Sequence, residues 1–112
     1  MSDTKDPTLK TLSRNVNNPT LFKDIDDFMI EVFTTLKITW ANKQHRKEFV
    51  ELIDEWMDQF AYESGKIIQY DVICDSRNNP PEELKKNLLH FLLRYRQKNC
   101  LNTTEIEYII KI

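Results

Sequence analysis

Two long stretches of the chain repeat apolar residues at the three- and four-residue spacing of an amphipathic helix. The first runs from Pro19 to about Leu36, and the second from about Asn42 to Glu63. The apolar stripes are Ile25, Phe28, Met29, Val32, Phe33 and Leu36 in the first stretch, and Phe49, Ile53, Trp56 and Phe60 in the second. Stripes of this kind predict two helices that each bury one face in a core. Gly65 is placed to end the second helix.

Two shorter stretches are rich in β-branched and aromatic residues, which is typical of strands. One is Ile67 to Cys74, and the other is the final "TEIEYIIKI". In the final stretch Ile106, Tyr108 and Ile110 alternate with charged residues, but Ile109 interrupts the polar face. The alternation predicts a last strand, and the apolar residue on its second face indicates that both faces are covered, by another subunit in our interpretation.

The segment "PPEELKKNLLHFLLRYRQK", between these two strands, fits either a helix or a strand. As a helix it begins with Pro81, has acids early and bases late, and carries Leu84, Leu88, Phe91 and Tyr95 on one stripe. As a strand from Asn87 it has an apolar face (Leu89, Phe91, Leu93, Tyr95) and a polar face (His90, Arg94, Arg96). Leu, Lys and Glu are poor strand formers, so the residues alone favour the helix without excluding the strand.

Residues 1–18 show no sustained apolar period and end in the breaker run Asn15 to Pro19. They predict an extended N-terminal arm, followed by a single domain at 19–112. A total of 112 residues with 40% hydrophobic content suits one domain with a small core, whose stability can depend on partners.

Charge and composition remove several functional classes. Charged residues make up 30% of the chain, but the net charge is only -2, which argues against a protein held on nucleic acid mainly by phosphate contacts. A single glycine cannot build a phosphate-binding loop or a dinucleotide fingerprint. Two cysteines are too few for a disulfide scaffold.

Candidate catalytic chemistry is sparse. Cys74 would need His45 or His90 beside it to act as a nucleophile, and nothing local to Cys74 supplies an activating group. Two distant histidines and no paired-cysteine spacing give no zinc set. We therefore predict a protein that is not an enzyme and has no cofactor, no metal, no small-molecule substrate and no membrane partner.

One basic set keeps a nucleic-acid function open as the alternative. Arg94, Arg96 and Lys98 would share one face of a strand, and such a face can follow phosphates. A solvated face or a salt-bridging interface explains the same residues equally well. The alternative function is therefore a small binding module that contacts nucleic acid through this basic strand face.

The stretch "YDVICDSRNNPPEE", Tyr70 to Glu83, resembles the C-terminal domain of the tail sheath proteins of contractile phages. In that family a strand ends in a Cys-Asp pair and is followed by two asparagines and a proline. "TTLKITW" before the second helix and "EIEYIIKI" at the chain end fit the same element order more loosely. The resemblance implies a strand at 88–97, which we adopt, and an α+β fold of two helices on a small, mostly antiparallel sheet of about three strands.

The resemblance also implies a function, namely a structural protein of a phage tail that is sheath-like or a sheath initiator of the baseplate. Such a subunit would reside in the virion after assembly in the host cytoplasm. It would join other copies of itself, or sheath, tube and baseplate proteins, by β-strand augmentation. The connecting elements would be the arm 1–18 and the terminal strand, with Ile106, Tyr108, Ile109, Ile110 and Ile112 at the subunit interface.

The motif itself is predicted to form a sharp chain reversal with a structural role. Asp75 can bond the backbone just after the strand, Asn78 and Asn79 tolerate left-handed conformations, and Pro80 stops the strand from continuing.

Overall fold

The computed structural model describes residues 9–35 and 43–111, which form a two-layer α+β domain. Ile112 and the segment 36–42, which includes most of "TTLKITW", lie outside the described residues. The elements in chain order are β1 (Leu9–Arg14), α1 (Pro19–Thr35), α2 (Lys43–Ser64), β2 (Ile67–Ile73), α3 (Pro81–Lys85), β3 (Leu88–Gln97) and β4 (Thr103–Lys111). The predicted fold class is confirmed.

The sheet has four antiparallel strands in the order β1-β4-β3-β2. The prediction of about three strands is one too few, because residues 9–14 of the expected arm pair with β4. Their register runs from Leu9 opposite Ile110 to Arg14 opposite Glu105. Residues 9–14 therefore belong to the same sheet as the rest of the domain, while residues 1–8 lie outside the described part.

Residues 88–97 form a strand, as the resemblance implied, and the helix favoured by propensity is wrong there. The helical signal is correct for one turn only, since α3 starts at Pro81 and the chain reverses at Asn87, whose φ is 61°. Along β3 every second residue is buried, which is the period of a strand. Cross-strand packing on both sides of β3 outweighs the helix preference of leucine.

The core lies between the helices and one face of the sheet. Phe91 on β3 meets Phe49 of α2 edge-on at a centroid distance of 5.1 Å, and Phe33 of α1 lies 5.0 Å from Tyr108 of β4. The helix-facing core residues with no exposed surface include Ile25, Met29, Ile53, Met57, Leu93 and Ile106. The opposite face of the sheet, called the outer sheet face below, carries His90, Leu92, Arg94, Arg96, Glu105 and Glu107.

The helix ends follow local signals in the sequence. The side chain of Asn18 accepts the backbone N–H groups of Thr20 and Leu21, both at 3.1 Å, so it caps α1 just before Pro19. Gly65 ends α2 with a φ of 65°, a left-handed conformation that disfavours residues with a Cβ. No helix within the described ranges is long and apolar enough to cross a membrane.

Candidate functional site

The predicted turn after β2 is built around Asp75. Its carboxylate accepts the backbone N–H of Arg77 at 2.9 Å and the Nη2 of the same residue at 2.8 Å. The Arg77 side chain is the main cause that lowers the pKa of Asp75, and the backbone N–H adds to it. The carbonyl of Asp75 also accepts the N–H groups of Asn78 and Asn79, at 3.2 and 2.9 Å. Asp75 thus bonds the backbone directly after the strand, in the geometry expected from the sequence.

The two asparagines of the motif join β2 to β3 through their side-chain amides. Asn78 Nδ2 donates to the carbonyl of Ile73 at 2.9 Å and to that of His90 at 3.1 Å. Asn79 both donates to the His90 carbonyl at 2.8 Å and accepts the His90 N–H at 2.7 Å. The amide of Asn79 therefore takes the place of a missing strand residue and extends the pairing of β3 beyond the last residue of β2.

The left-handed conformation that the sequence suggested for Asn78 and Asn79 does not occur. Neither Asn78 nor Asn79 has a positive φ; the non-glycine residues with positive φ in the described chain are Asn15, Asn87 and Asn99. The pair is placed for its amide hydrogen bonds, and Asn79 is 7% exposed. Pro80 follows in extended conformation (φ -68°, ψ 161°) and directly precedes α3, whereas β2 has already ended at Ile73.

Cys74 at the start of the turn is a free, half-buried thiol. Burial raises its pKa from an ordinary value of 9.0 to about 11, although the positive charge of Arg46 acts in the opposite direction. The Nδ2 of Asn79 lies 3.9 Å from its sulfur. A thiol in this environment holds its proton at neutral pH and packs as a small apolar group.

We predict that Cys74 reacts slowly with a disulfide reagent while the chain is folded. A rise of two pKa units makes the thiolate about a hundredfold scarcer, and the higher nucleophilicity of a more basic thiolate offsets this by about tenfold. In a Cys100→Ser chain at pH 7.5, the reaction should therefore be at least about tenfold slower in buffer than in 8 M urea. Equal rates in the two solvents would contradict the burial of the thiol.

β4, the predicted connecting strand, lies in the interior of the sheet between β1 and β3. Ile106, Tyr108 and Ile110 fill the core of their own chain, with exposures of 0%, 0% and 6%, while Ile109 lies half-buried on the outer sheet face. The hydroxyl of Tyr108 donates to Asp26 of α1 at 2.7 Å, and burial followed by this bond raises the pKa of the tyrosine. These side chains could reach a neighbouring subunit only if the strands of the sheet were exchanged.

β1 is the edge strand that covers β4, and its side chains make little contact with the domain. Leu9 alone packs against the core, whereas the other residues of the strand are exposed, Leu12 by 45%. Beyond β1, Asn15 contributes its carbonyl to the hydroxyl of Thr104 at 2.7 Å and its side-chain Nδ2 to the carbonyl of Thr103 at 3.3 Å. β1 is therefore held mainly by main-chain pairing.

The outer sheet face is lined by charges of both signs. Glu105 is 3.2 Å from the Nε of Arg94 and 3.7 Å from a guanidinium nitrogen of Arg14. His90 lies between two carboxylates, with Nδ1 3.3 Å from Glu107 and Nε2 3.8 Å from Glu83. Of the predicted basic set, Arg94 and Arg96 do share this face, but Arg94 is paired with an acid.

Lys98, the third member of the basic set, lies past the end of β3 in the exposed turn toward β4. Its N–H donates to the carbonyl of Lys66 at 2.8 Å, so these two lysines occupy the corner of the sheet next to Arg96. The three-residue face expected from a continuous strand is in fact a corner formed by Lys66, Arg96 and Lys98, called the basic corner below.

Comparison with known proteins gives no match: no family model, no curated protein and no solved structure is similar to this chain. Within residues 9–35 and 43–111, no group of three His, Cys, Asp or Glu side chains is arranged to hold a metal ion. The sheet of the described chain has β1 at one edge and β2, which Asn78 and Asn79 join to β3, at the other.

Proposed function

We propose that this chain is a structural subunit of a phage contractile tail, sheath-like or a sheath initiator, that links neighbouring subunits by exchanging the edge strand β1. Two features support the proposal. The turn "CDSRNNP", Cys74 to Pro80, joins the strand before it to a second strand, and the second strand pairs with the last strand of the chain. This is the element order that the resemblance to sheath C-terminal domains implies.

The observation that carries the proposal is the arrangement of β1 on β4. β1 pairs with β4, whose inward-facing side chains belong to the core. β1 itself contributes only one side chain, Leu9, to that core. Main-chain bonds of this kind are the same whichever chain supplies the strand, and the short segment 15–18 that follows β1 is the point at which the chain would cross over. Exchange therefore replaces each bond with an equivalent one and costs little in enthalpy.

Exchange also explains how β4 can act as a connecting strand while its side chains stay buried. When β1 of one copy pairs with β4 of another, Ile106 and Tyr108 remain in their own core and only the main chain of β4 contacts the neighbour. A removal of β4 would not test this role, because it would remove core residues at the same time. The informative experiment must follow the β1–β4 pair itself.

The test mixes two single-cysteine chains under mild oxidation. In a background without Cys74 and Cys100, one chain carries Leu12→Cys on β1 and the other carries Glu107→Cys on β4, at positions that face each other in the register. A disulfide between the two different chains requires β1 of one to lie on β4 of the other, because opposed residues are close enough to be bridged. We expect this cross-link to form in the mixture after the chains are unfolded and refolded together.

The matched control replaces Leu12→Cys with Tyr62→Cys, an exposed position on α2 that cannot meet β4 by exchange. Cross-linking to Glu107→Cys at the same rate from both positions would mean random collision. Absence of the specific product at every protein concentration, in a chain that forms the intramolecular disulfide when both cysteines are on one molecule, would overturn strand exchange.

A further inference from the structure

The solvent-facing side of α2 is acidic beyond Lys47, which precedes Glu51 by one helical turn. From Glu48 to Ser64 the sequence contains no lysine or arginine. The acids of this segment are all exposed, and none forms an ion pair within the part of the chain that the structure describes; they are Glu48, Glu51, Asp54, Glu55, Asp58 and Glu63.

The centre of this acidic helix face is a stripe made by Glu51, Glu55, Asp58 and Tyr62. These residues follow one another at spacings of four, three and four, so they lie along one side of the helix. Tyr62 is 85% exposed, which is unusual for an aromatic ring and places a π-face among the carboxylates. A surface of this composition suits lysine and arginine side chains, which pair with the acids and stack on the ring.

The basic corner has the complementary chemistry. Lys66 and Lys98 are exposed, Arg96 is half-buried, and none of the three has an ion-pair partner among the described residues. The Nε–H of Arg96 is buried and donates to no acceptor among the described residues. Beside it is a depression of about 100 Å³, to which Asp71 contributes one carboxylate; its lining residues are Gln69, Tyr70, Asp71, Arg94, Tyr95, Arg96 and Thr103.

The middle of the acidic stripe and Arg96 lie on opposite sides of the domain, while Lys66 lies between them, directly after the end of α2. The stripe on α2 is opposite the residues Phe49, Ile53 and Met57 that pack on the sheet, and Arg96 is on the face of the sheet that the helices do not cover. The carboxylates of Glu51, Glu55 and Asp58 therefore do not reach Arg96 of their own molecule. Two different patches that match across copies define a head-to-tail contact, which continues from molecule to molecule instead of closing as a symmetric dimer.

We propose that the basic corner of one copy binds the acidic helix face of a second copy. The contact uses surfaces separate from the β1–β4 pair, so it does not depend on strand exchange. Because the ion pairs are exposed, each contributes little and is screened by salt, and the contact is weak in a dilute solution of monomers. Where copies are held close together by another contact, the raised effective concentration makes the same pairing significant.

The test uses sedimentation velocity on three charge-altered chains at about 20 and 300 mM salt, spanning the range over which the Debye length falls below 10 Å. The first carries Lys66→Glu and Lys98→Glu, the second carries Glu55→Lys and Asp58→Lys, and the third is a control with Lys43→Glu and Lys85→Glu. The control makes the same charge change as the first at exposed lysines outside the basic corner. All altered positions are exposed, and thermal unfolding checks that each chain is folded.

At low salt the unaltered chain and the control should self-associate, and the first and second chains should each bind themselves at least about tenfold more weakly. A mixture of the first and second chains should regain association, since each then meets a surface of opposite charge. At high salt the association of every sample should fall by about tenfold or more. Recovery in this mixture is decisive only if it exceeds the association of the control chain mixed with the second chain, because both mixtures combine the same opposite net charges.

The same measurements are repeated on a chain with Leu12→Cys and Glu107→Cys oxidised within one molecule, in which β1 cannot exchange. Association that persists in this locked chain supports the head-to-tail contact. This result does not depend on whether β1 exchanges between copies. An unaltered chain that stays monomeric at low salt up to millimolar concentration would overturn the contact. So would binding of a short DNA duplex by Lys66 and Lys98 without self-association, which would assign the corner to a nucleic acid.

Discussion

Replacing Phe91 with alanine should lower the free energy of unfolding by about 4 kcal/mol, one of the largest losses that a single change in this chain can cause. Phe91 has no exposed surface and contacts rings from both long helices, with centroid distances of 5.1 Å to Phe49 and 5.7 Å to Phe33. Its removal takes away the buried ring and leaves a cavity that the sheet cannot close. Urea unfolding followed by circular dichroism measures the loss.

Leu92→Ala is the matched control, because it changes the next residue of the same strand. Leu92 is half-buried on the outer sheet face, beside a shallow depression that Leu12 and Glu107 also line. Its truncation should cost less than about 1.5 kcal/mol, since most of the lost side chain is not enclosed. If both substitutions were equally costly, the alternation of buried and half-buried residues along β3 would be wrong.

The difference in burial between Phe91 and Leu92 also explains why helix propensity gave the wrong prediction for residues 88–97. Leucine favours a helix by a few tenths of a kcal/mol per residue. Burial of one aromatic side chain contributes several times more, and β3 has pairing partners on both sides. The sequence could predict α1, α2, β2 and β4, whose patterns fit one period each. It could not choose between the two periods in β3 without knowing which residues pack against it.

Changing Asn79 to aspartate should lower the free energy of unfolding by about 2–3 kcal/mol at pH 7. The substitution preserves the shape of the side chain and the oxygen that accepts the His90 N–H at 2.7 Å. It removes the N–H donor that bonds the His90 carbonyl at 2.8 Å and places a carboxylate beside that carbonyl. A position with 7% exposure leaves the new charge poorly solvated.

The pH dependence of the stability loss in Asn79→Asp shows whether the buried charge causes it. Burial raises the pKa of the introduced carboxyl in the folded state above its value in the unfolded chain, so acidification protonates the folded form first. The stability deficit against the unaltered chain should therefore shrink as the pH falls from 7 toward 4.5, when the carboxyl again offers an O–H donor. Asn102→Asp, in an exposed turn, is the control and should leave both stability and its pH profile nearly unchanged. A deficit that does not change with pH would point to lost packing instead.

The motif could be predicted from the sequence as a turn, but the different roles of its residues could not. Asp75 accepts hydrogen bonds from residues two to four positions later in the chain. Bonds between such near neighbours can be predicted from a short sequence pattern. Asn79 acts on His90, which is in the next strand, so its role depends on the register of β2 and β3.

The pairing of β1 could not be predicted for a related reason. Residues 9–14 bury almost nothing, and the alternation of apolar and polar residues that normally reveals a strand is therefore absent. The segment forms a strand because the main-chain N–H and C=O groups on one side of β4 need hydrogen-bond partners. β4 lies far from residues 9–14 in the sequence.

The position of β4 has a consequence for the order in which the domain forms. Of the described elements, β4 leaves the ribosome after all the others, and its partner β1 is made before them. Until β4 emerges, both β1 and one side of β3 have no strand to pair with, and pairings between distant segments form slowly. Nascent chains on one messenger would meet during this interval. Under the strand exchange that we propose, the rate of synthesis and the local density of chains would then decide which molecule receives a given β1, before any finished subunit exists.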